Sequence, residues 1–357
     1  MKKYLLALFC LMGMLTATAG EPLAIGVSMP SKVLPRWTHD GENLKAALEK
    51  DGFKVRLLFG LNNNVSNQVN DVENMIDAGC RVLVIAPIDG LAFTEVLRKA
   101  EEHGIPVIAY DRMIMNSAAV AYYASFDSTQ VGAMQAQFIK EKLDLDNAAG
   151  PFNLEIFTGD AGDPNVKLLF DGAMSVLKPY LDAGKLRILS EQREREQCYT
   201  KGWLSEAAQA RMEGLISSVG YGQVKWRSEK LDAVLCQNDT TANGVTDALL
   251  AGGYPAENFP LITGQDCDTL SVVNMRHGLQ AMSVFKDTRA LAAQVALAVK
   301  ALVAGEAPVS TTTYHNGKKA VPAQWCDAVA VTPDNIDAAL VKSGYYQPAD
   351  VAGDAKK

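Results

Sequence analysis

The feature that most restricts folding is a repeated alternation: apolar runs rich in β-branched residues, each followed by an amphipathic stretch. "LAIGVSM" leads to a helical pattern over 41–50 and then to "KVRLLF". A pattern over 67–78 precedes "RVLVIAP", and another over 90–103 precedes "PVIAY". These strands do not alternate polar with apolar residues, so both faces must be covered, as in a parallel sheet with helical crossovers. After "YYASF" and a helix over 127–143 the alternation begins again. "FNLEIF", "KLRIL", "DAVLC" and "PLITGQD" are separated by helical patterns over 166–181, 204–217 and 241–251. The expected class is α/β, with two doubly wound parallel-sheet lobes joined by a three-segment hinge. A (β/α)8 barrel would show eight near-equal units, and the interval 192–230 breaks that rhythm.

A helix over 288–304 and the strand-like "CDAVAV" follow. Crossings between lobes are expected near 126–128, 264–266 and 322–327. That assigns 21–126 plus 266–322 to an N-terminal lobe and 127–265 plus 323–357 to a C-terminal lobe, with a ligand cleft between them. The tail "ADVAGDAKK" reads as frayed.

The first twenty residues stand outside this scheme. Lys2 and Lys3 precede an apolar run from Tyr4 to about Leu15 and then "TATAG", the layout of a secretory signal peptide. The run is too short to span a bilayer, and Phe9 before Cys10 argues against a lipoprotein. An exported, periplasmic protein is expected. Loss of Lys2 and Lys3 takes the formal net charge from −7 to −9, which disfavours nucleic acid or an anionic membrane as partner. Cys80, Cys198, Cys236, Cys267 and Cys326 form an odd, scattered set without a C-x-x-C pair, neither a disulfide framework nor a zinc signature. One bridge among them is left open.

Five strand tips carry charged or amide groups. "IGVSMPSKVLPRW" ends at Arg36 and Trp37 in what reads as a long loop, and "VIAYDR" ends at Asp111 and Arg112. "AVLCQND" ends at Asn238 and Asp239, "PLITGQD" at Gln265 and Asp266, and "AMSVFKD" at Lys286 and Asp287. Ligands of open parallel sheets bind beyond the carboxyl ends of the strands, so facing lobes would direct all five tips into one cleft. The set is balanced in sign and lacks Walker or G-x-G-x-x-G spacing, so a phosphate ligand is disfavoured. A neutral polyol suits it better: hydroxyls donate and accept, charged partners bond strongly, and Trp37 or Trp203 could cover the C–H faces of a sugar ring. The competing readings are an ordinary surface ion pair for Asp111 and Arg112, a helix cap for Asn238, a solvated Lys286, a packing role for Trp203, and a ligand-free cation–π pair for Arg36 and Trp37.

At these residues the sequence resembles the type I periplasmic sugar-binding proteins of ABC importers, in particular the xylose-binding and multiple-monosaccharide-binding proteins. The resemblance runs through "RW" at 36–37, "VLVIAPIDG" at 82–90, "VIAYDRMI" at 107–114, "AQARM" at 208–212, "GQD" at 264–266, "FKDTR" at 285–289 and "SGYY" at 343–346. It implies a monosaccharide held between the lobes by Arg36, Trp37, Asp111, Arg112, Asn165, Trp203, Asn238, Asp266 and Lys286. It also implies a monomer whose closed form meets a membrane permease and, in some cases, a chemoreceptor or membrane sensor. No cofactor or metal is implied. The loop before the fifth helix departs from the family's S-P-x-D-N-N-A: here "DAGDPNV" puts Pro164 and Val166 on either side of Asn165.

Three rival classes remain. A glycosidase would need two carboxylates at set spacing, for which Asp111 and Asp266 are the candidates. Each has a basic or amide neighbour at its own tip, which favours a permanently ionised acceptor over a proton carrier. No G-x-S-x-G, H-E-x-x-H or metal cluster appears, and the four histidines stand far apart. A repressor's inducer-binding core would need a DNA-binding head where the signal peptide stands. A purely sensory binding protein reads the same in sequence as an uptake protein.

Overall fold

The computed structural model describes residues 22–221, 229–254 and 258–352. The leader expected over 1–20 lies outside these residues, as do the last five residues of the tail. Strands β1 (Ala24–Met29), β2 (Lys54–Phe59), β3 (Val82–Ile85), β4 (Val107–Tyr110) and β5 (Val120–Phe126) form a parallel sheet in the order β2-β1-β3-β4-β5. Every residue of β3 and β4 is buried, as the lack of alternation requires. Helices α1 (Pro35–Lys50), α2 (Val65–Asp77) and α3 (Thr94–Glu102) make the crossovers.

Helix α4 (Ser128–Lys142), capped by the Asp127 carboxylate, carries the chain to the second lobe, where it packs on α5 (Asn165–Asp182). There β6 (Phe152–Phe157), β7 (Leu186–Arg187), β8 (Ala233–Cys236) and β9 (Leu261–Ile262) pair in parallel in the order β7-β6-β8-β9, with α6 (Ser205–Leu215) and α7 (Asp239–Ala251) between strands. Helix α8 (Thr269–Arg276) precedes β10 (Ser283–Lys286). A parallel bridge from Gln265 to Val284 then adds β10 to this second sheet.

That bridge corrects one expectation. The return to the first lobe comes after Lys286, not at 264–266, so 266–286 belong with the second sheet. Gly264–Asp266 looks like a free strand end in sequence, but Asp266 N–H donates to the Val284 carbonyl at 2.8 Å. Helix α9 (Thr288–Val303) packs on α1 in the first lobe. Strands β11 (Thr312–His315) and β12 (Ala320–Cys326) extend the first sheet beside β5, and β13 (Ala328–Val331) pairs antiparallel with β10. The crossings are therefore 126–128, 286–288 and 326–328.

A second correction concerns α1. Arg36 and Trp37 lie in its first turn, not in a long loop, because Pro35 at the first helical positions is pre-set for a helix start. Among the described residues the five cysteines are unbridged.

Candidate functional site

The cleft between the two sheets holds about 460 Å3 of space that is not protein, its open mouth included. All nine residues singled out in the sequence line it: Arg36, Trp37, Asp111, Arg112, Asn165, Trp203, Asn238, Asp266 and Lys286. Arg36 is the hub. Its Nε donates to Asp40 Oδ2 at 3.0 Å, one helical turn along α1, and its Nη1 to Asp266 Oδ1 at 3.1 Å. Its Nη2 donates to Asp111 Oδ1 at 2.5 Å. Lys286 Nζ lies 3.0 Å from Asp266 Oδ1 and 3.9 Å from Asp111 Oδ1, so two cations and two carboxylates from opposite lobes alternate along one wall.

Trp37 braces this wall. The guanidinium carbons of Arg36 and Arg112 both lie 4.9 Å from its ring centroid, so cation–π attraction holds both arginines in place. Arg112 Nε is 2.7 Å from Asp163 Oδ2 across the cleft, and Arg112 Nη1 donates to the Pro87 carbonyl at 3.2 Å.

Backbone shape aims these groups. Asp111, Trp203 and Asp266 have φ of 59°, 60° and 94°, sparsely populated values that persist only where surroundings enforce them. The Asp111 carbonyl accepts from Tyr123 Oη at 3.0 Å, Ser125 Oγ at 2.7 Å and Asn165 Nδ2 at 2.9 Å. The Asn165 amide is thus engaged with backbone of the facing lobe. Asn238 does cap α7, accepting from Thr241 N–H at 3.0 Å through Oδ1. That leaves its Nδ2 for the cleft. Trp203 is 4 % exposed, and its ring presses on Gly159, where a Cβ would come within 1.9 Å of Trp203 Cζ2. Only glycine at 159 lets the indole lie there.

The electrostatics favour fixed charge at the wall's centre. Burial alone would raise Asp111, yet Arg36 and Lys286 beside it hold its carboxyl below the usual value. Burial pushes Asp40 up to about 6 despite Arg36 and the Tyr110 hydroxyl that donates to it. Burial also raises Asp163 against the pull of Arg112. Asp268 is pushed up to about 7, by burial first and by Asp266 second. Three cations, Arg36, Arg112 and Lys286, face four lining carboxylates, Asp111, Asp163, Asp266 and Asp268. An anionic ligand would meet no surplus of positive charge, whereas a ligand rich in neutral hydroxyls could accept from the cations and donate to the carboxylates.

Sequence reading missed Asp40, Asp163 and Asp268. Asp40 stands four residues after Arg36, a spacing that signals an ion pair once the helix is known to start at Pro35. Asp163 sits in the "DAGDPNV" loop two residues before Asn165, and no local pattern shows that it meets Arg112.

With this geometry in hand, the chain's relationships follow. Residues 25–307 match the periplasmic binding protein domain, and the chain belongs to that family. It is 42% identical to the multiple sugar-binding periplasmic receptor ChvE of Rhizobium radiobacter over 335 residues, 93% of each chain. It is 34% identical to the D-xylose-binding periplasmic protein of Escherichia coli K12, over 98% of this chain and 99% of that one. Its fold is similar to that of an ABC transporter solute-binding protein from Clostridium phytofermentans with bound β-D-glucose. That match has a TM-score of 0.87 and 49% identity, and covers 92% of this chain and 99% of the other. These relatives are binding proteins.

Proposed function

We propose that this chain is exported to the periplasm, captures an aldopyranose of the xylose, glucose, galactose and arabinose class between its lobes, and delivers it to an ABC transporter permease. The observation that carries the reading is the wall of alternating charge, Arg36, Asp111, Lys286 and Asp266, drawn from both lobes and lining the same cleft as Trp203. The names of two relatives, multiple sugar-binding and D-xylose-binding, and the β-D-glucose bound by a third support the same ligand class.

Sugar touching both walls stabilises the closed arrangement through contacts the open one lacks. The nine lining residues named above are the proposed contacts. Trp37 acts chiefly by orienting the two arginines, and Asn165 by fixing the Asp111 carbonyl. The protein acts as a monomer. A sensory role, with the closed form read by a chemoreceptor or membrane sensor, is favoured by the relative named as a receptor.

Calorimetry with D-glucose, D-xylose, D-galactose and L-arabinose tests the proposal. One-to-one saturable binding of at least one aldose is expected, with the sugar recovered unchanged. An enzymatic reading would draw on Asp268, lifted toward neutrality, so the same samples are checked for turnover. Product formation, or no saturable heat with any of the four, would overturn the proposal.

A further inference from the structure

We propose that Tyr346, in the C-terminal segment, is a positioning residue for Asp266. Only the affinity arm of its test rests on the sugar-binding reading. Asp266 and the next residue, Cys267, both adopt left-handed backbone, with φ of 94° and 52°. Two successive strained residues relax unless several independent contacts hold them. On one side the holders come from within the second lobe: Asp266 N–H donates to Val284 O at 2.8 Å and Cys267 N–H to Ser283 Oγ at 3.1 Å. Asp268 N–H donates to Asp239 Oδ2 at 2.8 Å. On the other side the Cys267 carbonyl accepts from Tyr346 Oη at 3.0 Å, from a residue almost eighty positions later in the chain.

Tyr346 is itself well anchored. It is 8 % exposed, in a small core with Cys267, Phe285, Leu340 and Val351, and its N–H donates to Leu340 O at 3.0 Å. Its neighbour Tyr345 stacks edge-on against Phe285 at 4.7 Å, and the Tyr345 hydroxyl lies 3.2 Å from Thr288 Oγ1, so the segment also flanks Lys286. Without the Tyr346 hydroxyl, the 267–268 peptide is held only through the Asp268 N–H and can tilt toward ordinary backbone. The Asp266 carboxylate would then leave its place between Arg36 and Lys286.

The test compares Tyr346→Phe with Val351→Ala, which softens the same core without touching the Cys267 carbonyl. Amide hydrogen exchange of 266–268 is measured on ligand-free protein, and D-glucose affinity by calorimetry. In Tyr346→Phe the 266–268 amides should exchange several-fold faster, and sugar should bind roughly 3- to 10-fold more weakly, the range for one lost hydrogen bond. Val351→Ala should lower the thermal midpoint and leave both readouts near wild type. Unchanged exchange in Tyr346→Phe overturns the proposal whether or not sugar binds, as does a Val351→Ala variant that reproduces both changes. Faster exchange in a protein whose wild type binds no sugar would uphold the positioning role and sink the sugar reading.

Discussion

Replacing Arg36 by methionine removes the hub of the cleft wall, and the cost can be worked from its partners. The side chain is buried and reaches Asp40, Asp111 and Asp266 at once. Lys286 remains near Asp111 and Asp266, but Asp40, fully buried, is left with only the Tyr110 hydroxyl. Removing one partner of a buried pair costs about 3–5 kcal/mol, because the other charge stays behind. For lobes of this size that is a fall of roughly 6–20 °C in the thermal midpoint.

The loss should depend on pH. Asp40 already has a folded pKa near 6 with Arg36 present, above its ordinary 3.8, and it rises further without the cation. A carboxyl raised on folding takes up protons in the native state, so stability is gained as pH falls through the folded value and lost as pH rises through it. Thermal unfolding at pH 8 and pH 5.5 reads this directly. The gap between Arg36→Met and wild type should be wide at pH 8 and narrower at pH 5.5, and adding Asp40→Asn should restore much of it. A gap of less than about 1 kcal/mol at pH 8, or one that widens on acidification, would refute the reasoning.

Three further outcomes are expected. Gly159→Ala should displace the Trp203 indole, since the added methyl would sit within 1.9 Å of the ring, and weaken sugar binding by roughly 10-fold or more while the protein stays folded by circular dichroism. Asp268→Asn should be more stable than wild type at pH 8, because the wild-type carboxyl loses its stabilising proton as pH rises through about 7. The gain should grow as pH rises from about 4 through about 7 and be absent below about pH 4, as read by urea unfolding across pH. Asn165→Ala should remove the 2.9 Å bond to the Asp111 carbonyl and weaken sugar binding by about 3- to 10-fold in calorimetry.

Much of the fold is legible in the sequence because parallel strands buried on both faces have an unmistakable composition: β3 and β4 read as solid apolar runs and are buried throughout. The strand-tip rule then brings distant residues together, and Arg36, Asp111, Asn238, Asp266 and Lys286 do line one cleft. What eluded reading depends on pairings with no local signature. Nothing near 264–266 in sequence shows that Gln265 bridges to Val284, the pairing that moves the second crossing to 286–288. The pairing of Asp40 with Arg36 follows only from the helix running from Pro35, because a four-residue spacing implies no contact in a loop. The contact of Tyr346 with Cys267 joins residues from remote parts of the chain through a small core that no periodicity announces.

A shared interlobe site requires that both lobes grip one sugar. Calorimetry of wild type beside Asp111→Asn and Asn238→Ala, one change on each lobe, measures this most directly. A single saturable site for D-glucose or another aldose, weakened by at least about tenfold in both variants, is the predicted result. Full affinity retained in either variant would contradict a shared interlobe site.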